Sequence, residues 1–388
     1  MSFKLAVFNP SNYQRGGYVV TPWNPIYEQT KIPPDKIVLT DDKDNRLKCQ
    51  VDAIDPSDPS LDTLVFFLSY PIKPGPENYS CPSTFINITE GDSNPDVGDE
   101  PYGDPGSNFN KKPNIKTPYG KNGIKLSNER LEIWFNLTPH LDPGLPNEFS
   151  GAATSVLLDG KELIDSTNID WLFHSREKRC MQINQFQLTL PAWEMDPDPV
   201  FNLFDQPYEI IKINNGQLRA NCTIASIPFH YKYIDHFADE EKTLICKLYR
   251  VISLYPGADY LYEEVFVKAE AVDESRSKTI YMKFVPEYFM HLAFGHRPPH
   301  HRFDYVPDWL AVGSHLTSHP GIGFATDVHT APIIKEDESH RFTWKLLPCS
   351  YAKCIHIFMR NLRKVDDKAG HYWYENIFKP LRAEMKGD

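Results

Sequence analysis

Leu5-Ala6-Val7-Phe8-Asn9-Pro10 opens the chain, and three further runs follow the same plan: Lys36-Ile37-Val38-Leu39-Thr40 with Asp41-Asp42 behind it, Cys49-Gln50-Val51, and Thr63-Leu64-Val65-Phe66-Phe67 leading to Pro74-Gly75. Each is a short apolar stretch bounded by Asn, Asp, Pro or Gly, which is the punctuation of strands rather than helices. Residues 36–51 read as hairpin strands. The alternation Phe85-Ile86-Asn87-Ile88 closes a first unit spanning residues 1–89. Thirty-three prolines in 388 residues reinforce the reading, because proline interrupts helical hydrogen bonding and long helices cannot accommodate so many.

Further along, the strands return. "GIKLSNERLEIWFN" from Gly123 carries Leu126 and then Leu131, Ile133 and Phe135 at period two, and "SGAATSVLLDGKELID" contains Asp159-Gly160, a strong two-residue hairpin turn. Gly216 to Ile224, Leu244 to Tyr255 and Tyr260 to Val267 are longer apolar runs, also alternating. Period two places one face on a core and the other toward solvent or a groove. Residues 90–120 interrupt this pattern with Gly, Asp, Asn and Pro and almost no aliphatic side chain. Such composition cannot bury enough surface to offset ordering entropy, so an acidic linker or loop is expected. Its acids, Asp92, Asp96, Asp99, Glu100 and Asp104, lack the regular ligand spacing of a calcium loop.

The ordered succession "FNP", "V.D", "QV", "LVFF" and "PG" resembles the small β-sandwich of family-38 glycoside hydrolases, the α-mannosidases. The "L.NE.L.V" pattern before a "G...S....G" hairpin is similar to the start of their large C-terminal β-domain. That resemblance implies an all-β chain: a small sandwich, the linker, and over residues 121–388 a large two-sheet supersandwich of the galactose-mutarotase-like kind. The part of a mannosidase that carries zinc and the nucleophile has no counterpart in this sequence, so the resemblance implies carbohydrate recognition or processing without implying α-mannosidase activity. At the far end, Asp366 to Lys386 spaces Trp373, Tyr374, Ile377, Phe378 and Leu381 as one helical face, with Pro380 as a stop. A short C-terminal helix packed on the sandwich is expected there.

Bulk properties narrow the partners. A net charge of −11 argues against nucleic acid and anionic membranes, which are held by clustered Lys and Arg. No apolar run reaches the roughly 20 residues that span a bilayer, and Met1-Ser2-Phe3-Lys4-Leu5 enters a strand without a signal-peptide core, which reads as a cytoplasmic chain. Seven cysteines, at 49, 81, 180, 222, 246, 349 and 354, show no C-x-x-C spacing. Cys222 and Cys246, inside apolar runs, are expected to be buried reduced thiols. Sequons begin at Asn78, Asn87, Asn136 and Asn221 and are read as chance.

Chemistry is expected in a loop. Half of the fourteen histidines fall between residues 291 and 329: His291, His296, His300, His301, His315, His319 and His329. Within this region His296, Arg297, His300, His301, Arg302, Asp304, Tyr305 and Trp309 combine imidazoles, guanidiniums and aromatics in a Pro-rich segment, and loops on a rigid β scaffold are where binding groups concentrate. One reading is a sugar groove in which Phe303, Tyr305 and Trp309 stack on pyranose faces while His, Arg and Asp bond hydroxyls. A second is a metal site using Asp304 or Asp327. His315 and His319 have i, i+4 spacing, but Ser318, Pro320 and Gly321 oppose a helix, and no metal or other cofactor is assigned. A third is a loop whose histidines bond to backbone or water.

Galactose mutarotase uses a His acid and a Glu base, and the resemblance makes His230 or His236 with Glu263 or Glu264 the corresponding candidates. Neighbouring strand residues face opposite ways, so only one of the two glutamates can line a groove. A lyase would instead use His300 or Tyr305 with Arg297 or Arg302, and His296 is a further candidate for acid/base catalysis. Asp196 and Asp198, framed by prolines, read as a surface turn. No phosphate loop, G-x-S-x-G elbow or H-E-x-x-H is present. Three roles stay open: a sugar enzyme of glycoside hydrolase-like, lyase or epimerase type, a non-catalytic binding module or subunit, and a sandwich recruited to other small-molecule chemistry. The oligomeric state is not readable.

Overall fold

A computed structural model of the chain describes residues 3–11, 14–74, 82–91, 113–119, 123–138, 151, 153–163, 182–189, 200–202, 207–235, 240–269, 279–285, 291–294, 309–313, 321–326, 332–334, 342–346, 351–359 and 381–386. Over these residues the chain is all-β, with four sheets of five, three, ten and nine strands, and a helix at Asn24–Thr30.

The five- and three-stranded sheets make the small unit. Phe3–Phe8 lies between Thr84–Glu90 and Arg382–Met385, followed outward from Thr84–Glu90 by Ile37–Thr40 and Arg46–Leu47. The three-stranded sheet sets Thr63–Ile72 between Arg15–Pro22 and Cys49–Asp52. Leu5, Val7, Val19, Leu39, Phe66, Ile86 and Leu381 fill one core between the two sheets. The expected 36–51 hairpin is divided. Leu39 pairs with Leu47, but Cys49–Asp52 crosses to the other sheet and pairs with Thr63–Ile72.

The large unit is two facing sheets. In the ten-stranded sheet the expected hairpin Ala153–Leu158/Lys161–Glu162 forms, turning through Asp159 and Gly160 at positive φ, and Gly123–Ser127 pairs with Leu131–Asn136 as another. Alternation puts Ile124, Leu126, Leu131, Ile133, Phe135, Val156 and Leu158 in the core. The nine-stranded sheet runs in the order Tyr208–Asn215, Ala220–Ser226, Glu240–Leu254, Tyr260–Ala269, Tyr351–Met359, Gly321–Thr326, Trp309–Gly313 and His291–Phe294, with Phe229–Asp235 folded back on Glu240–Leu254.

Two boundaries differ from the sequence expectation. The last part of the expected linker, Asn114–Tyr119, is a strand at one edge of the ten-stranded sheet. Ile115 there is buried, and the Asn215 side chain both accepts from its N–H at 2.6 Å and donates to its C=O at 3.2 Å. One aliphatic residue and a side-chain amide from a distant strand supply what the local composition lacks. The expected C-terminal helix falls mainly on residues outside the described ones, but its end, Arg382–Met385, is strand. Beyond Pro380, alternation governs: Leu381 and Ala383 are buried while Arg382 and Glu384 are exposed.

Candidate functional site

The nine-stranded sheet presents two faces, and each holds a buried charge pair. Toward the small unit, Asp52 receives the Arg219 guanidinium at 2.8 Å from Nε and 2.5 Å from Nη2, and the Asn221 amide at 2.8 Å. Arg219 also donates to Thr63 Oγ1 at 2.6 Å. Gln50 adds a side-chain amide that behaves as a piece of strand: Oε1 accepts from the N–H groups of Leu218 and Arg219, and Nε2 donates to the Arg219 carbonyl and to Asp52. Asn214 donates to the Ala53 carbonyl and to Asn221. Apolar contacts flank this cluster, with Ile54 against Ala225, Tyr249 and Val251 on one side, and Val65 with Leu218 on the other. The Tyr18 and Tyr255 rings sit 4.6 Å apart. Burial pulls the Arg219 pKa down, yet Asp52, Tyr255 and Glu264 more than reverse this, and the guanidinium stays charged. Asn221, one of the four sequon asparagines, is wholly buried in this network.

The Gln50 amide fits because residue 216 is glycine. A Cβ there would fall within 2.3–2.5 Å of the Gln50 amide atoms. Gly216→Ala should displace Gln50 and cost about 1–3 kcal/mol, since buried donors and acceptors lose their partners. Urea unfolding of the variant checks this; a midpoint equal to wild type would show that Gln50 moves without loss.

On the opposite face, inside the large sandwich, Arg250 donates to Glu263 at 2.6 Å, and both side chains are fully buried. The same guanidinium bonds the Gly151 carbonyl and lies 6.0 Å from the centroid of Phe135 and 5.8 Å from that of Tyr208. A Cβ at residue 151 would meet Arg250 Nη1 at 2.5 Å and Tyr208 at 3.0 Å, so glycine is required for this approach. Burial, with Glu263 adding to it, pushes the Tyr208 phenol up to about 12 against the pull of Arg250. Burial alone takes the Cys222 thiol to about 12. Both groups bind their protons more tightly folded than unfolded. Their stabilisation is complete at neutral pH and is lost as pH climbs from about 9 through 12, with Tyr208 contributing on the order of 2–3 kcal/mol. Urea midpoints measured at pH 8 and pH 11 should therefore drop steeply in wild type and less steeply in Tyr208→Phe. Equal slopes would sink the assignment to Tyr208.

Glu263 is thus held in the core by Arg250, and a groove on the other face would present Glu264, which shares its cross-strand row with Val251. Nor does the fold bring Glu263 beside His230. Glu263 pairs with Ile252, whereas Asp235, the last residue of Phe229–Asp235, pairs with Glu240. Twelve residues of one strand separate those rows, about 40 Å at ~3.3 Å per residue. His230, in register with Ile245, is seven residues from the Ile252 row, ~23 Å. Glu263 is therefore far along the long strand Glu240–Leu254 from His230, and the candidate His236 lies outside the described residues.

The His-rich region enters the same sheet at its far side. Trp309 pairs with Ala325, Ala325 with Ile355, and Ile355 with Tyr262, so the Glu263 strand lies three strands from Trp309–Gly313, ~14 Å. Phe294 and Trp309 stand at one end of these strands, and Gly313 and Gly321 at the other, so residues 295–308 connect the first pair and residues 314–320 the second. His315 and His319 belong to the second connection, and His296, Arg297, His300, His301, Arg302, Asp304 and Tyr305 to the first. All nine lie outside the described residues, as does His236. Among the described residues no three or more His, Cys, Asp or Glu are grouped to hold a metal ion, and no helix is long and apolar enough to cross a membrane.

Comparison with solved structures gives the architecture a precedent. The chain has the fold of part of a family-38 α-mannosidase. It overlays, over 100% of its length, 46% of an α-mannosidase from Enterococcus faecalis V583 at a TM-score of 0.54 and 10% identity. It covers 47% of a glycosyl hydrolase family 38 protein from Enterococcus faecalis at the same TM-score and 9% identity. The chain therefore spans about half the length of either. No protein-family model matches the sequence, and no curated protein is detectably similar.

The turn Asn128-Glu129-Arg130 acquires a physical meaning in this fold. Asn128 donates to the carbonyls of Tyr255 and Ala258 at 2.8 and 2.9 Å and accepts from the N–H groups of Arg130 and Leu131. It locks a turn of one sheet to a turn of the other. Arg130 continues the lock with ion pairs to Asp159 and Asp259. Gln50, Asp52, Arg219, Asn221 and Arg250 escaped the sequence reading, although an arginine set inside an apolar run such as "LYRVISLY" signals a buried charge with a buried partner.

Proposed function

We infer that this chain is a carbohydrate-recognising β-module, built like the β-rich portion of an α-mannosidase and binding sugar without cleaving it. One observation carries the reading: over its whole length the chain shares the architecture of part of two family-38 structures. The likeness supports a shared architecture, and the residue chemistry supports sugar as ligand. Tyr305 and Trp309 offer stacking faces, and His296, Arg297, His300, His301, Arg302 and Asp304 offer hydroxyl-bonding groups on one connection of a rigid sheet. The buried pairing of Glu263 with Arg250 favours binding over acid/base chemistry at that glutamate. Ligand-observed NMR with neutral mannose-containing and uronic oligosaccharides tests this. Saturation transfer without new signals over hours is expected, and Trp309→Ala should weaken it at least tenfold. New product signals would make the chain an enzyme, and no transfer to any sugar would sink the proposal.

A further inference from the structure

The strand Arg382–Met385 stands out because it completes a unit begun some 380 residues earlier in sequence. It pairs with Phe3–Phe8 in the register Leu5 to Met385, Val7 to Ala383 and Phe8 to Arg382, and Lys386 N–H donates to the Lys4 carbonyl at 3.0 Å. On its other side it meets the second sheet of the small unit: Leu381 forms a parallel bridge with Val19, and Thr21 Oγ1 donates to the Ala383 carbonyl at 2.7 Å. Leu381 and Ala383 point into the core beside Leu5, Val7 and Val19, Met385 packs against it, and Arg382 and Glu384 face outward. The segment therefore reads as a ligand of a groove between two sheets. Its specificity lies in a Leu-x-Ala-x-Met alternation whose first two side chains are buried in the core, and its affinity in main-chain hydrogen bonds, as in strand addition.

We propose that residues 381–386 are a strap that docks and opens as a separate unit, and that the groove beneath is a peptide-binding site accepting the same segment in trans from a second copy of the chain. The ladder is four pairs long and lies at the edge of its sheet, so its release breaks no other strand pair of that sheet. Its attachment to the rest of the chain keeps the groove filled through high effective concentration.

Two measurements on the full chain test the strap. Native-state hydrogen exchange should release the amides of 382–386 at least tenfold faster than those of Thr84–Glu90, which flanks Phe3–Phe8 on its other side. Equal protection of the two strands would show that the strap opens only with global unfolding and would overturn the proposal. Ala383→Arg should undock the strap, and a fluorescent peptide of residues 379–388 should then bind this variant at least tenfold more tightly than wild type. The same peptide carrying Ala383→Arg should not bind. Failure of a folded variant to take up the native peptide would also overturn the proposal. If the variant does not fold, the exchange measurement on wild type decides alone. Neither readout involves sugar, so the strap and the carbohydrate reading stand or fall separately.

Discussion

Asp52→Ala is expected to lower the free energy of unfolding by about 3–5 kcal/mol, the cost of leaving a buried charge without its partner. Three donors converge on one oxygen of this carboxylate, two from Arg219 and one from Asn221. Arg219 and Asp52 are only 1% and 2% exposed, so water cannot replace what is lost. The loss should be felt in both units together, because Asp52 belongs to the small unit and Arg219 to the large one. Urea unfolding followed by tryptophan fluorescence and by circular dichroism should give coincident transitions in wild type. In Asp52→Ala the transitions should shift or separate. A double variant, Asp52→Leu with Arg219→Met, should recover much of the loss, since an apolar pair of similar volume often matches a buried ion pair. A single Asp52→Ala variant within about 0.5 kcal/mol of wild type would show that the interface is wetter than its geometry implies.

Glu263→Gln should cost a similar amount, about 3–5 kcal/mol, and should do so without touching ligand recognition. The substitution keeps shape and removes charge, leaving the Arg250 guanidinium in the middle of the large sandwich with one neutral acceptor in place of its counter-ion. A catalytic or sugar-contacting glutamate would behave in the opposite way, with stability nearly unchanged and function lost. Thermal unfolding and saturation-transfer contacts measured on the same sample, well below the melting temperature, separate the two outcomes. Retained stability with abolished ligand contact would return Glu263 to the binding site.

Much of the fold was legible because alternation is enforced wherever one face is buried. Leu131, Ile133 and Phe135 could not occupy any register but one without exposing three large side chains, and Asp159-Gly160 dictates its own turn. Legibility fails where the deciding partner is remote. Asn114–Tyr119 resembles linker until Asn215, a hundred residues on, is placed against Ile115. Arg382–Met385 continues a helical spacing until Val7 and Val19 offer it a groove, and a local pattern carries no trace of either. The division of the 36–51 hairpin has the same origin, since Cys49 and Asp52 are claimed by Thr63–Ile72.

The site reading shows the same limit from the chemical side. Glu263 was identifiable as a carboxylate inside a strand, but period two gives only the choice between two faces. Which face is core depends on Phe135 and Tyr208, supplied by other strands. His230 and Glu263 are near in sequence and chemically suited, and a single fifteen-residue strand sets their cross-strand rows seven residues apart. Arg219 and Arg250, by contrast, were visible as charges out of place, and a rule that every arginine in an apolar strand must have a buried carboxylate would have prompted a search that ends at Asp52 and Glu263.

The amide of Asn215 has a consequence outside this molecule. A sheet edge with free N–H and C=O groups is a template on which another chain can add, and by bonding both groups of Ile115 one side chain withdraws that template at the residue where Asn114–Tyr119 is most apolar. Changing Asn215 to a residue without an amide would thus alter how copies of the protein behave toward one another in a concentrated solution, long before it altered how any one of them folds.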